Sequence, residues 1–338
     1  MPVSNCVSRA RRGAAAGVAG AGLLAAFSAC ALPFGLGLPT TRALETGAAN
    51  TLSAAQSLEI VGSYTESGQP WTIDLQIARP DDEHVVARGP GVSVEAIVLG
   101  TNAYYRGQAF LSQHMGGDPL SRNVVKAAGN AWWMGSIGLV PLLPDLIDGG
   151  KLKSTFLGTA ATQRTDHVSV DGVDAIDLSG PRADVFIRAA PPYDLLRVHM
   201  KNGVVIDGLG AADLRFENFN RNFGIAAPTD VIDFSNLSTL PPIYSVDSVD
   251  ASRCGSPCVV SAQLTNLGGK TGAVAPSTIT FTMTAAASGK VTGTCTAPVT
   301  PDVGYNGTTT VSCTIGNLNG PPGNAATITA VADNPGHA

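Results

Sequence analysis

Four cysteines crowd into the last part of the chain, at positions 254, 258, 295 and 313. Thiols so placed can ligate zinc or form disulfides. A C-x3-C pair followed by a C-x17-C pair is not a usual zinc spacing. An even set in one exported domain reads as two disulfides. Three connectivities are open, and the two local pairs, Cys254–Cys258 and Cys295–Cys313, close most easily. Histidines 84, 114, 167, 199 and 337 are scattered, and the expectation is that they are structural. Asp81-Asp82-Glu83 could serve as an acid and base, but after Arg79-Pro80 it reads as a solvated hairpin tip. Arg182, Arg188 and Arg197 could meet an anion, although scattered strand arginines usually just face water. There is no G-x-S-x-G elbow, phosphate-binding loop or H-E-x-x-H, and Met134-Gly135-Ser136-Ile137-Gly138 lacks the elbow's spacing. The chain is therefore expected not to be an enzyme, and to need no metal and no cofactor.

A further thiol, Cys30, ends the stretch FSAC. Such a stretch resembles a lipobox, which makes Cys30 a candidate lipidation site. Phe27 stands where Leu is usual, and the apolar ALPFGLGLP follows where a polar tether is usual. Ala29-Cys30-Ala31 equally fits an ordinary cleavage site. The run from Gly13 to Thr41 carries no charge, and it exceeds the roughly 20 residues that cross a bilayer. Lipoprotein, free secretion and a retained anchor all remain open. In each case residues 1–43 form a targeting segment, with a basic start and a Gly/Ala-rich apolar middle.

Composition narrows the class further. Of 338 residues, 14% are charged and 6% aromatic, with 39 Gly and 22 Pro. A soluble domain averages about 25% charged, so this chain suits an exported, β-rich protein. The net charge of -5 argues against nucleic acid, which calls for a basic footprint.

The elements that would position these residues follow from periodicity. ALETGAANTLSAAQS has Leu44, Ala48, Leu52 and Ala55 at helical spacing. Then Trp71, Ile73, Leu75 and Ile77 alternate with polar residues, as do Val92, Val94, Ala96 and Val98, with short turns between. These runs predict an antiparallel meander with one wet face. Residues 118–158 lose the alternation. There, Leu139, Leu142, Leu143, Leu146 and Ile147 are spaced for a helix face, kept short or kinked by Pro141 and Pro144. Strands return at DHVSVDGVDAIDLSG, and Asn202-Gly203 between apolar runs signals a hairpin. Pro241-Pro242 reads as a linker. Beyond it the last 96 residues hold 7 charged side chains, and six short β-rich runs predict a small β-sandwich, residues 243–338.

A meander apolar on one face needs a cover. Either the helices at 43–57 and 129–157 fill the core, or they leave a cavity for something apolar. The lining would then be Trp71, Ile73, Leu75, Ile77, Val94, Ala96, Val98, Leu139, Leu142, Leu143 and Leu146. A register error of one residue would invert a strand.

The order of elements over residues 44–240 resembles the LppX/LprG family of cell-envelope lipoproteins, which have a LolA-like fold. SLEIVGSYTESGQPWTIDLQI looks like that family's opening hairpin, and VEAIVLGTNAYYRG like its next strand and turn. NAWWMG with GLVPLLPDLI is similar to its Trp-ended strand and Leu-rich helix. VDGVDAIDLSG and FNRNFGIAAPTDVIDFSNL are similar to a later strand and to the exit. The resemblance implies an α+β fold, an antiparallel half-barrel wrapped around helices. It also implies carriage of lipid or lipoglycan acyl chains across the cell envelope, with an N-terminal anchor meeting the membrane surface. Residues 243–338 lie outside that family and look like an immunoglobulin-like or CARDB-type module, suited to a protein or wall partner. The alternative is an envelope sensor or a docking or adhesion module built on the same half-barrel.

Overall fold

The computed structural model describes residues 37–140, 143–159, 161–316 and 326–337. The leader with Cys30 lies outside the described residues. Helix α1 (Thr41–Ala54) opens the fold, and the Thr40 hydroxyl caps it by accepting from the Ala43 amide at 3.2 Å. Leu44, Ala48 and Leu52 recur every fourth residue and form one fully buried stripe.

Five strands follow as a meander: β1 (Ser57–Glu66), β2 (Gln69–Ala78), β3 (Asp82–Gly89), β4 (Val92–Leu99) and β5 (Asn102–Arg106). Two helices that periodicity did not reveal come next, α2 (Gln108–His114) and α3 (Pro119–Ala128). Then come β6 (Trp132–Gly135) and the single turn α4 (Pro144–Ile147). The second half supplies β7 (Gln163–Val170), β8 (Val173–Ser179), β9 (Ala183–Arg188), β10 (Leu195–Met200), β11 (Val205–Ile206), β12 (Leu209–Glu217) and β13 (Val231–Ile232). All thirteen strands form one sheet, ordered β13-β6-β5-β4-β3-β2-β1-β12-β10-β9-β8-β7, with β11 beside β12. The α+β class is as expected. The sheet is mixed rather than wholly antiparallel, because β13 pairs parallel to β6.

Cross-strand register lines the inner face in rows. One row runs Leu58, Ile77, Glu83, Val98, Ala103. The next runs Phe216, Ile60, Leu75, Val85, Ala96, Tyr105, Trp133. The third runs Leu178, Val185, Val198, Leu214, Gly62, Ile73, Ala87, Val94. Gly62 is required where β1 crosses β12, since a Cβ there would sit 2.1 Å from the Asp213 carbonyl oxygen.

Three expectations change on the structure. Asn202-Gly203 makes a turn closed by Val204 N–H to the Lys201 carbonyl at 3.1 Å, but β10 pairs with β9 and β12. The tight hairpin is instead Asp207-Gly208, both at positive φ, joining β11 to β12. Among its described residues, the Leu-rich segment is helical only at Pro144–Ile147, where proline is tolerated at the helix start. Leu139 therefore sits before that helix rather than on its face. Third, Asp81-Asp82-Glu83 is not simply a solvated tip. Glu83 shares the inner face with Val85 and Ala87, and its Oε2 is buried with no hydrogen-bond partner among the described residues.

The remaining strands build two three-stranded sheets: β14 (Tyr244–Asp250), β15 (Cys258–Asn266) and β18 (Thr308–Ile315), facing β16 (Thr278–Ala285), β17 (Val291–Pro298) and β19 (Ala326–Asp333). Their shared core includes Val260, Leu264, Ile279, Phe281 and Val311. Cys295–Cys313 ties β17 to β18 across the two sheets, and Cys254–Cys258 closes the turn before β15. Residues 39–338 pack as one unit. Pro241 and Pro242 are buried, and the Gly269 amide donates to the Leu240 carbonyl at 2.7 Å. The joint is packed on its other side too, where Lys126 of α3 meets Asp333 at 2.5 Å.

Candidate functional site

Burial sorts the expected lining. Ile73, Leu75, Ile77, Val94, Ala96, Val98, Leu143 and Leu146 are each 5% exposed or less. Alternation therefore placed the strand residues on the inner face in correct register. Trp71 and Leu139 are half-buried, and Leu142 lies outside the described residues.

Only part of this set borders open space. A pocket of about 160 Å³ lies at one edge of the inner face. Trp71, Val94 and Leu139 line it, together with Tyr64, Ala87, Phe110, Val140 and Leu209, which sequence reasoning did not single out. It exists because the third row is narrowed there by Ala87, between Ile73 and Val94. Ala87 faces inward because it alternates with Val86 and Arg88 along β3. Its proximity to Leu209 depends on the β11–β12 hairpin. The other described residues of the expected lining, Ile73, Leu75, Ile77, Ala96, Val98, Leu143 and Leu146, are packed away from this pocket.

Two aromatic rings form one wall. Tyr64 and Trp71 sit side by side on β1 and β2, their centroids 6.4 Å apart and their planes 18° apart. Trp71 lies flat on Gly89, where a Cβ would come within 2.6 Å of the indole. A side chain at position 89 would lift the ring away. A second aromatic group stands beside the pocket. Trp133 stacks with Tyr105 at 5.0 Å, Phe110 at 6.4 Å and Phe234 at 5.9 Å.

The rim is acidic. Glu66 and Asp207 line the pocket, and among the described residues no Lys, Arg or His does. Asp207 Oδ2 accepts from the amides of Asp145 and Leu146, both at 3.0 Å, and so holds the start of α4 against the β11–β12 hairpin. Burial nevertheless pushes the Asp207 carboxyl above the ordinary carboxylate range. The Tyr64 hydroxyl is pushed up too, first by burial and then by the charge of Glu66. At the opposite end Arg79 donates to the Leu52 carbonyl at 3.1 Å and the Ile147 carbonyl at 3.0 Å, capping α1 and α4 together. Nearby on the sheet, Glu83 is raised by burial and secondarily by Asp81.

A larger cleft, about 470 Å³, lies on the outer face between Gly62, Thr72, Arg197, Asp213 and Arg215. It is polar, and its cations are already engaged. Arg197 forks onto Asp213, and Arg215 reaches Asp171 at 3.6 Å. Among the described residues no group of His, Cys, Asp or Glu could hold a metal ion, and no helix is long and apolar enough to cross a membrane. The two disulfides fit an exported protein. No family model matches the chain, and no curated protein matches it.

Proposed function

We propose that this protein is a non-catalytic, exported lipid-binding carrier that shields acyl chains against the inner face of its large sheet. The observation that carries this reading is the pocket bounded by Tyr64, Trp71, Ala87, Val94, Leu139 and Leu209, which lies at the end of the apolar row that runs through Leu214, Ile73 and Val94. Exposing an acyl chain to water costs about 0.8 kcal/mol per CH₂, so a sixteen-carbon tail costs on the order of 12 kcal/mol. A carrier needs no reactive group to offset that cost. It needs a dry wall and a polar rim, the usual make-up of a small-molecule site. The likeness of residues 44–240 to the LppX/LprG family supports the same reading.

At about 160 Å³ the pocket is smaller than the roughly 300–1,000 Å³ typical of ligand sites. Uptake therefore separates the Gly138–Val140 turn from the β11–β12 hairpin. Few hydrogen bonds oppose that movement. The described hydrogen bonds between the α4 start and the hairpin are the two that Asp207 accepts. The test is direct: the full chain is purified from a membrane-containing native host, extracted with organic solvent and analysed by mass spectrometry. Stoichiometric co-purified lipid is the expected result. An empty extract sinks the reading.

A further inference from the structure

Resting on that carrier reading, we propose that the pocket mouth receives a cationic head group, so that the ligand is an amine- or quaternary-ammonium-bearing amphiphile. Four side chains converge there. Glu66 and Asp207 supply two carboxylates, and Tyr64 and Trp71 supply adjacent aromatic rings with nearly parallel planes. An ammonium over an aromatic face is attracted by the ring quadrupole, most strongly by Trp. Carboxylates beside that face add direct charge attraction, and burial of Asp207 weakens its hydration and so its competition from water. Only Oδ2 of Asp207 is taken up by the amides of residues 145 and 146.

The pocket has a further polar group besides its acids. Tyr64 is 2% exposed, lines the pocket, and its hydroxyl has no hydrogen-bond partner among the described residues. Lys151, whose charge reaches Asp207, does not neutralise the mouth, because its ammonium is held by Asp145 at 2.8 Å. An anionic head group would meet two like charges and, among the described residues, no lining cation. A neutral head group would leave the carboxylates without a charge partner.

The experiment titrates the full chain, by isothermal calorimetry below the critical micelle concentrations, with three twelve-carbon probes: dodecyltrimethylammonium, dodecyl maltoside and dodecanoate. The ammonium probe is expected to bind about tenfold more tightly than the maltoside, the combined scale of one cation–π contact and one partly exposed ion pair. Dodecanoate is expected to bind weakest. Glu66→Gln and Asp207→Asn should each lower the ratio of ammonium to maltoside affinity. The Glu66 side chain makes no hydrogen bond among the described residues, so Glu66→Gln keeps the test valid if Asp207→Asn loosens α4. Equal affinity for all three probes, or a preference that survives Glu66→Gln, overturns the head-group assignment and leaves the carrier reading standing. Failure of every probe to bind removes the carrier reading itself.

Discussion

Ala87→Leu asks whether the space on the inner face is real and whether an acyl chain uses it. Ala87 is 1% exposed, lies between Ile73 and Val94, and borders the pocket. Leucine adds three carbons, each occupying roughly the ~30 Å³ that a water takes in the liquid. The substitution thus removes on the order of 90 Å³ from a pocket of about 160 Å³. Burying three methylene-sized groups stabilises by up to about 2.4 kcal/mol. Imperfect rotamers reduce that to about 1–2 kcal/mol. At about 2–4 °C per kcal/mol for a unit of this size, the melting temperature rises by roughly 2–8 °C. The same variant should lose most of its co-purified lipid. Differential scanning calorimetry and lipid extraction on one preparation read both effects. A rise in melting temperature with lipid content unchanged would show that acyl chains bind elsewhere. A loss of about 1–3 kcal/mol, the usual cost of overpacking, would show that there is no space to fill.

Other perturbations test separate parts of the argument. Gly89→Val should push the Trp71 indole off its seat and red-shift tryptophan emission; an unchanged spectrum would contradict the close contact. Because burial raises the Glu83 carboxyl, the unfolded chain loses this proton before the folded one does, so stability falls as pH rises from about 4 toward neutrality. Glu83→Gln should flatten that part of the melting-temperature profile, and an unaltered slope would place the charge in water. Removing Cys295–Cys313, which closes an 18-residue separation, should cost about 3 kcal/mol by loop entropy. Removing Cys254–Cys258, a separation of 4, should cost about 2 kcal/mol, and chemical denaturation of the two double-serine variants would reveal a reversed order.

Periodicity by itself determined which residues of β2 and β4 face inward, because side chains alternate strictly along a strand and one face must be buried. The same alternation holds Glu83 in line with Val85 and Ala87, although its turn-like neighbours Asp81 and Asp82 obscured it. Composition pointed to the β-rich character, and cysteine spacing to the local pairing that the disulfides have. Tertiary structure decided what the alternation could not reach. It decided that Asp207-Gly208, not Asn202-Gly203, forms the hairpin, because strand partners are chosen by long-range pairing and not by the turn alone. It also decided that the Leu139 segment is a turn before a one-turn helix. The pocket itself is a matter of distance between β1–β4, the Gly138–Val140 turn and Leu209, elements up to about 145 residues apart in the chain. Local pattern assigns a face to each residue. How much room is left between two faces depends on every side chain that meets there, and only the packed molecule adds those volumes together.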